Sequence, residues 1–191
     1  MKNSIKYASL VSAMVLGLSA CGGGGGNGGE SSSSGSNIQS FQGTWKGGCE
    51  AAGNSSYKQT WELKAGGVLK NTIPVFDQAN DCSGRKRGPA IADATLSYKG
   101  EVVVSNTCKD GKAQKVDLTF KKVDAGSFGV HSGDATIRRI LQAQGLSFPK
   151  YDIMCIGDDG KLHTGNIDGN NDGSTEAKRP TEVNPTKAFS K

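Results

Sequence analysis

The chain has few of the side chains from which most enzyme active sites are built. Its 191 residues include only two histidines, and aromatic residues make up 6%. Neither His131 nor His163 has a metal-binding partner at short spacing, and the chain contains no Gly-x-Ser-x-Gly elbow, His-Glu-x-x-His motif or phosphate-binding loop. We therefore expect no enzymatic activity and interpret both histidines as surface or structural residues. The alternative is a pair of carboxylates that distant strands bring together.

Long hydrophobic runs and a strong charge of one sign are also missing. The apolar run at residues 8–18 is too short to cross a bilayer as a helix. The formal net charge of +5 is spread along the chain and is too small to predict binding of nucleic acid.

The apolar run belongs instead to a targeting signal. Lys2 and Lys6 precede it, and the sequence Leu-Ser-Ala-Cys at residues 18–21 follows it, as in a bacterial lipobox. We therefore expect residues 1–20 to be a lipoprotein signal peptide and Cys21 to be lipidated. Two or more acyl chains anchor a protein stably in a membrane. The alternatives are an ordinary signal peptide with an unused cysteine, or an uncleaved anchor.

The residue after the cysteine indicates the membrane. Gly22, rather than Asp, follows Cys21. By resemblance to the general sorting pattern of lipoproteins, this indicates the bacterial outer membrane, at its periplasmic face or at the cell surface.

A low-complexity segment separates the anchor from the rest of the chain. Residues 21–40 comprise the lipidated cysteine and a stretch that is almost entirely Gly, Ser and Asn. Such a stretch buries too little apolar surface to fold, which predicts a disordered tether with an end-to-end distance of about 25 Å. Residues 41–191 are long enough for one domain with its own core.

Four cysteines remain in the domain: Cys49, Cys82, Cys108 and Cys155. In an oxidising compartment this number predicts two disulfides, with three pairings open. No two of the cysteines are close enough in sequence for a zinc site.

Apolar and polar residues alternate in several short segments, as in half-buried antiparallel strands. The clearest runs are residues 41–49, 57–63, 115–121 and 151–155. Turn residues separate the segments at 65–67, 99–101, 109–111 and 157–160. The pattern predicts an all-β domain, either a single antiparallel up-and-down barrel or a sandwich.

One segment departs from the alternation. Residues 136–144 have apolar side chains at helical spacing, with Asp134 as a candidate cap. We expect one short helix packed across a barrel end. An amphipathic membrane-binding helix is the alternative.

Counting strands suggests which cysteines pair. With a hairpin turn at residues 99–101, Cys108 returns to the barrel end that also holds Cys49 and Cys82. From this count we favour the pairs Cys49–Cys82 and Cys108–Cys155.

Several short motifs resemble a known family. Gly43-Thr44-Trp45 resembles the Gly-x-Trp opening of lipocalin-like (calycin) barrels. The residues from Trp45 to Cys82, and the tail segments at 151–155, 162–165 and 179–181, are similar to uncharacterised bacterial lipoproteins with lipocalin-like domains. The resemblance implies about eight strands, with a tryptophan that plugs the closed end beneath a late arginine, for which Arg179 is the matching position.

A barrel of eight strands is either filled by its own side chains or encloses one small ligand. The simpler interpretation of the inward-facing residues is a packed core, and the alternative is a ligand cavity. The residues that would line such a cavity are Trp61, Leu63, Ile73, Val75, Leu118 and Phe120.

The segment Asp168-Gly-Asn-Asn-Asp-Gly173 matches the first half of an EF-hand loop. Asp168, Asn170 and Asp172 would be the ligands of a weak Ca²⁺ site. Arg179 stands where the loop requires a bidentate glutamate, so we favour a plain hairpin loop and expect no cofactor.

Together these features predict a monomeric, membrane-anchored envelope lipoprotein. Its barrel would be a binding module for a small hydrophobic or amphipathic ligand, with no nucleic-acid partner. The alternative is a surface interaction protein, such as an adhesin or host-factor binder, with a filled barrel and functional loops.

Overall fold

The structure is a computed structural model that describes residues 38–52, 54–79, 81–105, 107–125, 130–132 and 149–191. The predicted signal peptide, Cys21, the predicted tether up to residue 37 and the predicted helix at 136–144 lie outside the described residues. Among the residues that are described, no helix is long and apolar enough to cross a membrane.

The domain is a closed antiparallel barrel, one of the two architectures that the alternating pattern predicts. Its strands are β1 (Gly43–Ala52), β2 (Ser55–Leu63), β3 (Val68–Phe76), β4 (Lys86–Val103), β5 (Lys112–Ala125), β6 (Val130–Ser132), β7 (Lys150–Ile156), β8 (Leu162–Gly165) and β9 (Val183–Ser190). The order β4-β3-β2-β1-β9-β8-β7-β5 closes through pairing of β4 with β5, and β6 pairs with β5 outside this circuit. An up-and-down barrel of eight strands is thereby confirmed.

The apolar residues at alternate positions form the core, because successive side chains of a strand point to opposite faces and one face of each strand points into the barrel. On β2, for example, Tyr57, Gln59, Trp61 and Leu63 are all buried. The amide in this set is partnered, since Trp61 Nε1 donates to Gln59 Oε1 at 3.1 Å. On β4 three of the inward residues are small and 0–2% exposed: Ala90, Ala92 and Ala94.

The two ends of the barrel are named here after Trp45 and Lys150. At the Trp45 end, β1 begins and β4 ends; at the Lys150 end, β1 ends and β4 and β7 begin. Trp45 is 1% exposed, and its Nε1 donates to Phe41 O at 2.7 Å in a 3-10 turn, Ile38–Phe41. The cation above its ring is Lys191, with Nζ 4.9 Å from the centroid. Arg179 does not cover this ring as the resemblance implies; it lies over Tyr151, 5.2 Å from the ring centroid.

Three of the four predicted turns are present, and the one at residues 99–101 is wrong. Strand β4 continues through this segment to Val103, and its register with β5 shifts between Tyr98 and Glu101. Gly100, at φ +107°, takes up the extra residue of this bulge, a conformation that glycine adopts without steric cost.

The predicted disulfide pairs, Cys49–Cys82 and Cys108–Cys155, are confirmed. Their predicted placement is wrong, because β4 does not turn back at Gly100. Cys49 and Cys82 lie at the Lys150 end, whereas Cys108 and Cys155 lie at the Trp45 end. The two bonds therefore staple opposite ends of the barrel.

A second bulge reverses the face of β1. The sequence pattern placed Cys49 on the same face as Trp45, but the register with β2 shifts between Lys46 and Cys49. Cys49 is consequently exposed and opposite Lys58, while Glu50 lies opposite the core residue Tyr57. This bulge, at Gly47 and Gly48, brings a carboxylate to the inner face of the barrel.

Candidate functional site

The barrel wall opens between β1 and β9. Their ladder contains only the pairs Lys46–Ser190 and Gly47–Phe189. Beyond these pairs, toward the Lys150 end, lies a cleft of about 270 Å³, called here the β1–β9 cleft. It is lined by Gly47, Gly48, Cys49, Glu50, Asn184, Thr186, Lys187, Ala188 and Phe189.

A bulge in β9 forms the other side of the cleft. Its register with β8 jumps from the pair His163–Ala188 to the pair Gly165–Val183. Within the intervening segment, Asn184 Oδ1 accepts hydrogen bonds from Thr186 N at 3.0 Å, Thr186 Oγ1 at 2.9 Å and Lys187 N at 3.0 Å. One amide side chain therefore holds this segment in shape.

His163 supports the same bulge from the outside of β8. It is 2% exposed, with Nδ1 3.3 Å from Asn184 O and Nε2 3.2 Å from Asp159 Oδ1. This agrees with the interpretation of His163 as a structural residue. His131 lies in β6, at an edge of the described part of the chain.

The floor of the cleft is aromatic. Phe189 is fully buried, and its ring centroid lies 4.8 Å from that of Trp61. A Cβ atom at Gly47 would meet Phe189 Cε1 at 3.0 Å. Glycine at this position lets the β1 backbone pack directly against the Phe189 ring. The ring therefore lies immediately beneath the backbone that lines the cleft.

An ion pair crosses the cleft. Lys187 Nζ lies 2.7 Å from Glu50 Oε2, and the same oxygen accepts a hydrogen bond from Tyr57 OH at 2.9 Å. Burial lowers the pKa of Lys187, against the attraction of Glu50. Burial, followed by the charge of Glu50, raises the pKa of Tyr57, so the phenol stays protonated and remains a donor.

A second pair of charged side chains lies on the inner face of β7. Lys150 and Asp152, each 3% exposed, are opposite the core residues Leu118 and Val116, which places them on the inward face. Burial lowers the pKa of Lys150 to about 8 and raises that of Asp152. Asp152 Oδ1 accepts from the backbone N–H of Ile153 at 2.8 Å and of Gly165 at 3.0 Å.

The two pairs belong to one polar sector of the inner wall. Asp152 raises the pKa of both Lys150 and Lys187, and Lys187 lowers that of Lys150, so the charges lie within electrostatic range of one another. The sector carries two cations and two carboxylates. It can therefore orient a polar group by hydrogen bonds without a net charge of its own.

The six residues predicted for a ligand cavity lie elsewhere. They are 1–8% exposed and belong to one buried hydrophobic cluster. None of them lines the β1–β9 cleft, whose floor Phe189 belongs to the same cluster.

The Asp168 loop uses its acidic side chains for local turns. Asp168 Oδ1 accepts from the backbone N–H of Asn170 at 2.8 Å and of Asn171 at 2.7 Å. Asp172 Oδ1 accepts from Ser174 N at 2.8 Å, and its Oδ2 lies 3.5 Å from Lys178 Nζ. Within the described ranges, no three His, Cys, Asp or Glu side chains are arranged to hold a metal ion. Weak Ca²⁺ binding here stays a prediction.

Sequence reasoning missed the polar sector because it assigned the wrong face of β7. The alternation at 151–155 placed Tyr151, Ile153 and Cys155 inside, whereas the inward residues are Lys150, Asp152 and Met154. Ile153 and Cys155 pack on the outer face in a second buried cluster with Cys108 and Val183. A strand buried on both faces gives no reliable alternation, although apolar residues at consecutive positions 153–156 were a usable signal.

No protein-family profile matches this chain, and no curated protein matches it.

Proposed function

We propose that this protein is a lipid-anchored lipoprotein of the bacterial outer membrane whose barrel binds a small amphipathic molecule at the β1–β9 cleft. The lipobox at residues 18–21 supports the anchor. The observation that carries the binding proposal is an open cleft of about 270 Å³ with an aromatic floor and an ion pair across it.

The composition of the cleft indicates the kind of ligand. Small-molecule sites are concave and largely apolar, with a few polar groups that fix orientation, and their volumes begin at about 300 Å³. The cleft lies near this lower limit, which suits a short chain or one portion of a larger molecule. The partly exposed Ala188 offers an apolar contact and Lys187 and Glu50 a polar one, so an amphipathic ligand satisfies both.

The anchor is tested through Cys21. Growth with radiolabelled palmitate should label the wild-type protein, and the Cys21→Ala variant should carry no label and leave the membrane fraction. A thioether-linked lipid requires the cysteine sulfur, so label retained in the variant would contradict the anchor.

The cleft is tested by filling it. Gly48 lines the cleft, and a Cβ atom there meets no atom within 4 Å. We therefore expect Gly48→Phe to leave the unfolding midpoint unchanged while it weakens ligand binding at least tenfold. Titration calorimetry with three eight-carbon amphiphiles, 1-octanoylglycerol, octanoate and octylamine, measures the binding.

Gly169→Phe is the matched control. A Cβ atom at Gly169 would also meet no atom within 4 Å, and this residue lies in the Asp168 loop rather than in the cleft. Its variant should bind as the wild type does. Equal binding by Gly48→Phe, or no binding of any amphiphile by the wild type, would exclude the cleft as a ligand site.

A surface interaction protein with a filled barrel is the second candidate. The packing of the six predicted cavity residues into one buried cluster favours it. Its function would then depend on loops that are accessible from outside the cell. Protease treatment of intact cells tests this candidate, since it requires a chain that is exposed at the surface and therefore cleaved; a chain that is protected on intact cells would exclude it.

A further inference from the structure

The ion pair of the β1–β9 cleft has hydrogen-bonding capacity left for a ligand. Lys187 Nζ lies 2.7 Å from Glu50 Oε2, and this contact uses one of the three donors of the ammonium group. Both hydrogen bonds that Glu50 accepts within the described part of the chain, from Lys187 and from Tyr57, go to Oε2. A ligand can therefore donate to Oε1 and accept from Lys187 while the pair stays intact.

Both charged side chains can be reached from the cleft. Lys187 and Glu50 are among its lining residues, and their side chains are 13% and 25% exposed. Lys150 and Asp152, in contrast, are each 3% exposed and lie deeper on the inner wall. A molecule that enters the cleft therefore meets one cation and one carboxylate side by side. Because both are largely buried, salt screens their interactions with the ligand only weakly.

Such a pair discriminates between ligands by their charge. A ligand with a single charge is attracted by one member of the pair and repelled by the other, and it adds an uncompensated charge to a largely buried site. A ligand that carries both charges can place its ammonium against Glu50 and its anionic group against Lys187. Hydrogen bonds between two charged groups are about twice as strong as neutral ones, so this ligand is also favoured over an uncharged one.

The spacing of the pair indicates how close together the charges of the ligand lie. The two charged atoms of the protein are 2.7 Å apart, so the groups of the ligand that face them must also be near neighbours. An α-amino acid meets this condition, because its ammonium and carboxylate groups are attached to the same carbon atom. An apolar side chain on that carbon suits the partly exposed Ala188, which also lines the cleft.

We propose that the ligand of the β1–β9 cleft is zwitterionic, with the ammonium and carboxylate groups of an apolar α-amino acid, and that Glu50 and Lys187 bind these two groups. The inference rests on the proposed function, in which the cleft binds a small amphipathic molecule. It adds the chemical class of the ligand and the residue that receives each of its charges.

A fourth eight-carbon amphiphile, 2-aminooctanoate, tests the class of ligand, because it differs from octanoate only by its ammonium group. In titration calorimetry of the full chain carrying Cys21→Ala, which lacks the acyl chains, it should bind at least tenfold more tightly than octanoate, octylamine or 1-octanoylglycerol. If any of these three binds within tenfold of it, the inference is wrong and the proposed function still stands. Absence of binding by all four overturns both.

Lys187→Met and Glu50→Gln test the two residues, since each removes one charge of the pair. Both variants should bind 2-aminooctanoate at least tenfold more weakly than the wild type does. Lys187→Met leaves a carboxylate without its partner and should bind octylamine more tightly than the wild type, whereas Glu50→Gln should bind octanoate more tightly. A purely structural role of the pair would weaken the binding of all four ligands together. That result, or unchanged affinities, would overturn the assignment.

Lys112→Met is the matched control for these variants. Lys112 is an exposed lysine that is paired with Glu101 at 3.6 Å, and it lies at the Trp45 end, away from the cleft. Its replacement should change none of the four affinities. Lys187→Met and Glu50→Gln predict opposite ligand preferences, so either variant is sufficient for the test if the other does not fold.

Discussion

We expect the Arg179→Met variant to be about 3–5 kcal/mol less stable than the wild type. Arg179, 6% exposed, clamps the tail onto the outer face of β5 and β7. Its Nη1 donates to Val116 O and Asp152 O, each at 2.7 Å, and its Nη2 to Asp117 Oδ1 at 2.6 Å. Methionine keeps the apolar length but leaves two carbonyls and a largely buried carboxylate without this donor. Urea unfolding measures the loss.

Lys178→Met is the matched control for this prediction. Lys178 is the neighbouring residue, is exposed, and has one ion pair, at 3.5 Å with Asp172. Exposed pairs of this kind contribute at most about 1 kcal/mol. If Arg179→Met changes the unfolding midpoint no more than Lys178→Met does, then the hydrogen bonds of Arg179 to β5 and β7 do not stabilise the domain, and the prediction is wrong.

Local alternation was sufficient to predict an all-β antiparallel domain and the faces of β2 and β5, while the choice of a barrel over a sandwich came from the family resemblance. A strand with one solvent-exposed face and one buried face alternates polar and apolar residues, and Trp61 and Leu118 are buried as that pattern requires. The disulfide pairs were also predictable, although one step of the strand count was wrong. The pair Cys49–Cys82 was correct because the pattern placed strands β1 to β3 correctly, and these strands bring the two cysteines to one end of the barrel.

The candidate site was not predictable, because bulges create it. The bulge at Gly47 and Gly48 moves Glu50 inward, and the bulge in β9 contains the cleft residues Asn184 and Lys187. Alternation assigns faces only while the register holds, and one extra residue inverts every face beyond it. The pair Glu50–Lys187 is separated by 137 positions in sequence, so only closure of the barrel brings it together.

We expect removal of either disulfide to cost about 4 kcal/mol, from the entropy that each bond removes from the unfolded chain. The bonded cysteines are 33 and 47 residues apart, so on this account the Cys108–Cys155 bond contributes slightly more. The double variants Cys49→Ala/Cys82→Ala and Cys108→Ala/Cys155→Ala each remove one bond. Thermal unfolding should show each midpoint lowered by about 8–16 °C for a domain of this size.

Burial, like loop length, predicts the larger loss of stability for the Cys108→Ala/Cys155→Ala protein. Cys108 and Cys155 are 6% and 3% exposed within the second cluster, where truncation to alanine also leaves unfilled space. Cys49 is exposed and Cys82, at 9% exposure, belongs to neither buried cluster, so truncation of this pair leaves less unfilled space. The Cys108→Ala/Cys155→Ala protein should therefore be the less stable of the two. A larger fall in the unfolding midpoint for Cys49→Ala/Cys82→Ala would contradict this order. It would show that the Cys49–Cys82 bond stabilises the Lys150 end, which holds the cleft, by more than loop length and burial account for.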